Sequence, residues 1–157
     1  MIIKPVEIDD APAILALLEL DYRCEAEMYG SRYIASPPRT SDEMQAVLSR
    51  GFWLKAVAEG RIVGAASVVE ESDSCRIERL IIHPDFERRG VGVALVRTIE
   101  ATFGTAAHFE TVTGHKTKLK IRLFKRLGYK TLRVDNVAGE MKLVFLEKTA
   151  GLSSKPG

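Results

Sequence analysis

Residues 78–95 read Glu78-Arg79-Leu80-Ile81-Ile82-His83-Pro84-Asp85-Phe86-Glu87-Arg88-Arg89-Gly90-Val91-Gly92-Val93-Ala94-Leu95. The run Arg76–His83 ends in consecutive apolar residues, as a central strand does, and Pro84 stops it. Val91, Leu95 and Ile99 then recur at helical spacing within Val91–Phe103. A buried strand therefore feeds a glycine-containing turn that opens a helix. The first turn of a helix leaves backbone N–H groups unpaired, and the helix dipole adds positive potential, so such a corner binds anions. Gly90 and Gly92 have no side chain to hold a diphosphate off the backbone, and Arg88 and Arg89 add charge at the rim. Two other nucleotide loops are excluded. The dinucleotide fingerprint needs a third glycine where Leu95 stands. Gly114-His115-Lys116-Thr117 fails as a phosphate loop of nucleotide hydrolases, because His115 interrupts it and no glycine lies at the required spacing upstream.

Upstream of this corner, Ile2–Ile8 reads as a strand. Asp9 and Asp10 offer N-caps, Pro12 suits a first helical turn, and Ile14, Leu17 and Leu18 predict a helix over about Ala11–Leu20. Glu25–Arg39 reads as irregular, with Gly30, Pro37 and Pro38 as breakers. Ser41, Met44, Val47 and Leu48 predict a second short helix closed by Gly51. Phe52–Glu59 and Ile62–Glu70 are strands of a hairpin. Downstream, His108–Thr113 is a strand, and Lys116–Leu127 is a helix with Leu119, Leu123 and Leu127 on one face and Gly128 as C-cap. Tyr129–Val134 and Lys142–Glu147 read as final strands around a polar loop, Asp135–Glu140. The order β α α β β β α β α β β predicts an α/β fold with helices on both faces of a mixed, mostly antiparallel sheet of about six to seven strands. Residues 1–148 form one domain in this reading, and 149–157 are a flexible tail without a core pattern.

The chain has 157 residues, 46% hydrophobic and 28% charged, enough for one core and inconsistent with global disorder. No run approaches the ~18 apolar residues of a transmembrane helix. Met1–Ile8 lacks the basic and apolar regions of a secretory signal, so a cytoplasmic location is expected. Cys24 and Cys75 read as free thiols. The net charge of +2 hides an asymmetry. Residues 1–30 hold Lys4 and Arg23 against seven acids, a net of −5, whereas residues 114–133 hold eight basic residues and no acid, a net of +8. The basic stretch suits an anionic partner and the acidic one a cation; the alternative is that both are solvated faces.

The stretch 78–95 resembles motif A of the GNAT N-acetyltransferase superfamily, Gln/Arg-x-x-Gly-x-Gly/Ala after a strand ending in an apolar–Pro corner. Thr113–Thr117 through Ile121-Arg122-Leu123-Phe124-Lys125-Arg126-Leu127-Gly128-Tyr129 resembles the same family's second cofactor segment, which usually ends in Leu-Tyr-x-x-x-Gly-Phe/Tyr. The order of elements matches the family from Ile2 to about Glu147. The resemblance implies acetyl-coenzyme A as cosubstrate. Its pyrophosphate would sit on the amides of Arg88, Arg89, Gly90, Val91, Gly92 and Val93, with Ala94 next in the helix. Its pantetheine arm would pair with the backbone of Ile81 and Ile82, and Lys120, Leu123 and Phe124 would flank the other side. It also implies a primary-amine acceptor, small molecule or peptide, and a homodimer is common in the family. This chain departs from the pattern at three positions. Glu87 replaces the usual Gln or Arg and is expected to turn to solvent. Phe124 replaces a Tyr that protonates the departing thiolate, and Lys120 replaces a frequent Asn.

Acetyl transfer to an amine needs the neutral amine, and a lysine-like amine has a pKa of about 10.4, so a base is required. Glu78, two residues before Leu80, stands where the family often carries an acid; the alternative is that it pairs with Arg76, Arg79 or a neighbouring strand. The backbone N–H of Ile82 is the family's usual donor to the thioester carbonyl oxygen. Tyr22, Tyr29 and Tyr33 each offer a hydroxyl from the acceptor side. Tyr129, Trp53 and His83 read as structural, and His115 is placed to touch phosphate or nothing. No set of His, Cys, Asp or Glu has ligand spacing, so no metal is expected. Nucleic acid is not expected as a partner either, because the basic residues of 116–126 spread around the helix and pI is about 8.6. A GNAT-fold acyl-CoA-binding regulatory module with little catalysis is the second reading, motivated by Phe124 and Lys120.

Overall fold

The structure is a computed structural model, and it describes residues 1–30, 38–139 and 141–149. Seven strands form one sheet in the order β1-β2-β3-β4-β5-β7-β6. They are β1 (Ile2–Pro5), β2 (Phe52–Ala58), β3 (Arg61–Glu71), β4 (Ser74–Ile82), β5 (His108–Gly114), β6 (Lys130–Ala138) and β7 (Met141–Thr149). Only β4 and β5 pair in parallel; the other neighbours are antiparallel. The expected mixed sheet with helices on both faces is therefore what forms. Among the described residues no helix is long and apolar enough to cross a membrane.

Four helices cover the sheet: α1 (Ala11–Tyr29), α2 (Ser41–Ser49), α3 (Val91–Thr102) and α4 (Lys118–Arg126). One face carries α3, whose Val91, Leu95, Val96 and Ile99 are buried with Leu80, Ile77 and Phe124 in the larger core. The other face carries α1 and α2, with Ile14, Leu17, Leu18, Met44 and Leu48 packed on Trp53, Ala65 and Ile81. Helix α2 starts on a capping box, in which the Thr40 hydroxyl accepts from Glu43 N–H at 3.1 Å while the Glu43 carboxylate accepts from Thr40 N–H.

Three sequence expectations need correction. Helix α1 runs nine residues past Leu20, to Tyr29, and Gly30 ends it with φ +87°. Its second half has no breaker, but charged contacts rather than an apolar stripe hold it, so its periodicity fades. Residues 135–138 are not part of a polar loop, because β6 continues to Ala138 and pairs it with Met141. An edge strand with an exposed face need not alternate in hydropathy. Thr149, expected in the tail, belongs to β7 and pairs with His108. Tyr33 and Pro37 lie outside the described residues, as does the chain after Thr149.

Candidate active site

Strand β4 and its exit build the site. The β3–β4 register pairs Val68 with Ile77 and Ser67 with Arg79, so Glu78 has no opposite residue and forms a bulge. The extra residue breaks strict alternation. Ile77, Leu80 and Ile82 pack into the α3-side core, while Glu78 and Arg79 line the same cavity on the α1 side.

The β4–β5 ladder is short. It runs from Ser74↔His108 to Ile77↔Thr111, and Glu78–Ile82 diverge from Val112–Gly114, which pair with β7 instead. His83 N–H donates to Val63 C=O at 2.8 Å on the β3 side. The N–H and C=O of one strand residue share an edge and those of the next take the opposite edge, so the N–H and C=O of Ile82 face the open edge. The same alternation corrects the expectation for Ile81. Paired with Ala65, its peptide groups are turned towards β3 and its side chain is buried beneath α1.

Past Ile82 the chain folds tightly. His83 Nδ1 accepts from Asp85 N–H at 3.1 Å, which gives His83 the structural role expected. Pro84–Phe86 form a single 3-10 turn, and Glu87 is exposed, as anticipated. Arg88 and Gly90 both take positive φ, +62° and +83°. A Cβ on Gly90 would meet nothing within 4 Å, so this glycine serves conformation and leaves open space. Ala94 N–H makes the first intrahelical bond, to Gly90 C=O at 3.0 Å, and no side chain caps the turn. The amides that precede Ala94 are thus free for an anion. Gly92 has a different role from the one expected. A Cβ there would lie 3.1 Å from Leu123 Cδ1 and 3.2 Å from Ile82 Cδ1, so its smallness lets α3, α4 and β4 converge. The guanidiniums of Arg61 and Arg89 lie 5.0 and 5.1 Å from the Phe86 ring centroid, so Arg89 is folded back onto an aromatic face while Arg88 stands exposed.

On the opposite face a cavity of about 850 Å³ lies between α1, α2 and the diverging ends of β4 and β5. Leu18, Val47, Trp53 and Leu143 give it apolar wall; Glu25, Glu43, Glu78, Arg50, Arg79 and Lys120 give it charge. Arg79 is the hub. It donates to Tyr22 Oη at 2.7 Å, Asp21 Oδ2 at 3.2 Å and Glu25 Oε1 at 3.3 Å, and lies 4.6 Å above the Tyr22 ring. Sequence reasoning missed this hub, although Asp21, Tyr22 and Glu25 fall on adjoining positions of one helix. Glu78 is 46% exposed and among the described residues pairs only with Arg76, at 3.4 Å, whose nearer partner is Glu71 at 2.8 Å.

Two further residues expected at the site are placed as follows. Lys120 turns towards α1, with Nζ 4.0 Å from Asp21 Oδ1, and lines the cavity. Phe124 is 1% exposed and packs edge-on against Tyr129 at 5.0 Å, so its ring is a core element. Tyr129 is equally buried and its hydroxyl donates to Glu100 at 2.7 Å; burial, then that carboxylate, pushes its pKa far up. Tyr29 Oη accepts from Lys116 N–H at 2.8 Å and its ring covers Gly114. His115 Nδ1 accepts from Lys142 N–H at 3.1 Å, so it ties the β5–α4 turn to β7. Burial pushes the Cys75 thiol up to about 11, which leaves it inert as a nucleophile.

The fold has many solved counterparts. The ribosomal-protein-alanine N-acetyltransferase from Brucella melitensis superposes with a TM-score of 0.77 at 17% identity, covering 95% of this chain and 99% of that one. The PaiA N-acetyltransferase from Thermoplasma acidophilum, solved in complex with coenzyme A, gives 0.77 at 16% identity over 95% and 99%. The yncA protein from Salmonella typhimurium, solved with its cofactor acetyl-CoA, gives 0.73 at 16% identity over 95% and 93%. No curated protein matches by sequence. The family model described as the acetyltransferase (GNAT) domain matches residues 49–131, more than half of the chain, from the end of α2 into β6. The bulged strand, the uncapped helix start and the residues where β4 and β5 diverge all lie within that span, and the chain belongs to the GNAT acetyltransferase family.

Proposed function

We propose that the protein is an acetyl-CoA-dependent N-acetyltransferase that acetylates a primary amine by direct transfer in a ternary complex. One observation carries this reading: β4 parts from β5 after Ile77, leaving Ile82 on an open edge, and the cavity at that divergence is lined by Glu78 of the same strand. The residues fit the cosubstrate. The amides of Gly90, Val91, Gly92 and Val93 lie ahead of the first helical bond and suit a pyrophosphate, with Arg88 exposed beside them. The unpaired edge at Ile82 suits an extended amide-bearing arm, with Leu123 on the far side. Acetyl-CoA would supply an activated acetyl group there.

The chain's own groups then divide the remaining work. Glu78 takes the proton from the ammonium form of the acceptor, directly or through water. Ile82 N–H, on the open edge, donates to the carbonyl oxygen where negative charge grows. Among the described residues no side chain is placed to return a proton to a leaving thiolate. Phe124 has none to give, and the hydroxyls of Tyr22 and Tyr29 are engaged by Arg79 and Lys116. A thiol of pKa ~8.5 leaves without a dedicated acid.

Glu78→Gln is the test, read as free thiol released from acetyl-CoA with a panel of amines. The rate should fall on the order of 100-fold or more, most steeply below the pKa of the amine. A wild-type to variant ratio that stays flat across pH removes Glu78 as the base. The buried Phe124 favours a second reading, a GNAT-fold acyl-CoA-binding module. Tight coenzyme A binding with no thiol release on any amine would establish it.

A further inference from the structure

The charged groups of the 850 Å³ cavity divide into engaged and unengaged ones. Glu43 is taken up by the α2 cap, where it accepts from the N–H groups of Arg39 at 2.7 Å and Thr40 at 3.1 Å. Glu25 and Asp21 hold Arg79. What remains is one carboxylate and two cations. Glu78 has only the long contact to Arg76, Lys120 only the 4.0 Å contact to Asp21, and Arg50 makes no side-chain ion pair or hydrogen bond with any described residue. Arg50 is exposed at the cavity wall, so its guanidinium is open to an anion that enters the cavity.

This distribution argues against a polycationic acceptor. Of the acids of α1 that make the N-terminal half negative, Asp21 and Glu25 are bonded to Arg79, so Glu78 is the cavity carboxylate left open to a cation, while Arg50 and Lys120 are open to an anion. We propose that the acceptor is zwitterionic: an amine that also carries a carboxylate, which Arg50 with help from Lys120 holds while Glu78 faces the amine. The apolar wall of Leu18, Val47 and Trp53 accommodates an apolar body between the two charged ends. Amino acids and short peptides with free C-termini have this chemistry. The proposal deepens the acetyltransferase reading and rests on it for the position of the amine.

Leucine, phenylalanine and tryptophan, with dipeptides made from them, are assayed beside their C-terminal amides. Amidation lowers the ammonium pKa and so enriches the reactive neutral amine, which biases the assay towards the amides. The wild type should nevertheless prefer the acids. Arg50→Gln should raise KM for the acids about tenfold or more, the worth of one charge-assisted hydrogen bond, and leave kcat and the amides within about twofold. Arg50→Lys should restore part of the difference. Equal use of acids and amides by the wild type, or an Arg50→Gln defect shared by both, overturns the proposal. Calorimetric binding of the same compounds to protein saturated with coenzyme A separates the two levels. Acid-selective binding without turnover sinks the enzymatic reading and keeps the zwitterion site; turnover without acid selectivity does the reverse.

Discussion

The two faces of the sheet are held by different forces. On the α3 face the contacts are apolar and close: Val91, Leu95, Val96 and Ile99 are all buried, and Gly92 lets three elements meet at side-chain distance. On the α1 face an apolar cluster is bracketed by charge. Lys55 Nζ binds Asp10 at 2.5 Å at the start of α1, and Arg79 gathers Asp21, Tyr22 and Glu25 near its middle. Close packing has no slack, whereas an ion network can be rewired by one substitution. A cofactor common to a family suits the first kind of face, and an acceptor that differs between members suits the second.

Gly92→Glu is the strongest way to break this contrast. It brings bulk to a position already within 3.1 Å of Leu123 and negative charge to the free amides of α3. Coenzyme A affinity should fall at least ~100-fold by calorimetry, while the Arg79 network on the far face is untouched. An unchanged Kd would remove the amide cradle. Asp10→Ala probes the other face through stability. Lys55 is 8% exposed and would be left as a buried cation without a partner, at a cost of about 3 kcal/mol in urea unfolding near pH 7. The pH dependence has a definite sign. Burial alone would raise the Asp10 carboxyl, but the Lys55 and Glu7 hydrogen bonds outweigh it and hold its pKa below the ordinary value. Its contribution is therefore complete above the unfolded pKa of ~3.9 and fades as pH falls through the lower folded value. The gap between wild type and Asp10→Ala should shrink over that acid window; a constant gap would mean that packing, not charge, anchors α1. The smallest effect expected is that of Tyr129→Phe. Losing the hydroxyl that donates to Glu100 should cost roughly 1 kcal/mol, with kcat unchanged. A fall in kcat at constant stability would instead make Tyr129 the proton donor that Phe124 is not.

The same contrast explains what the sequence revealed. The strand–turn–helix corner of 78–95 was readable because its signals are local: an apolar run, a proline, two glycines and a helical period. Phe124 and Lys120 were assigned by motif position, and their surroundings moved them, one into the core and the other to the cavity wall. The second half of α1 was unreadable because its anchor, Arg79, lies more than fifty residues away and is not apolar. The bulge at Glu78 was hidden for a related reason. Strict alternation places Glu78 and Arg79 on opposite faces, and only the β3 register shows that they share one. Arg50 carries no motif, and its interest arises from what its neighbours are already bonded to.

The short β4–β5 ladder has a consequence for the motions of the molecule. Four residue pairs, Ser74↔His108 to Ile77↔Thr111, join a four-stranded half sheet to a three-stranded one. This seam is as short as the β1–β2 ladder at the sheet's edge, so amide protons along it should exchange with solvent by local fluctuation well before global unfolding. Ile82 N–H, facing the gap, should be among the fastest of the sheet. A ligand laid along that edge acts as a missing rung, slowing exchange at Ile82 and raising the melting temperature in proportion to the logarithm of its concentration.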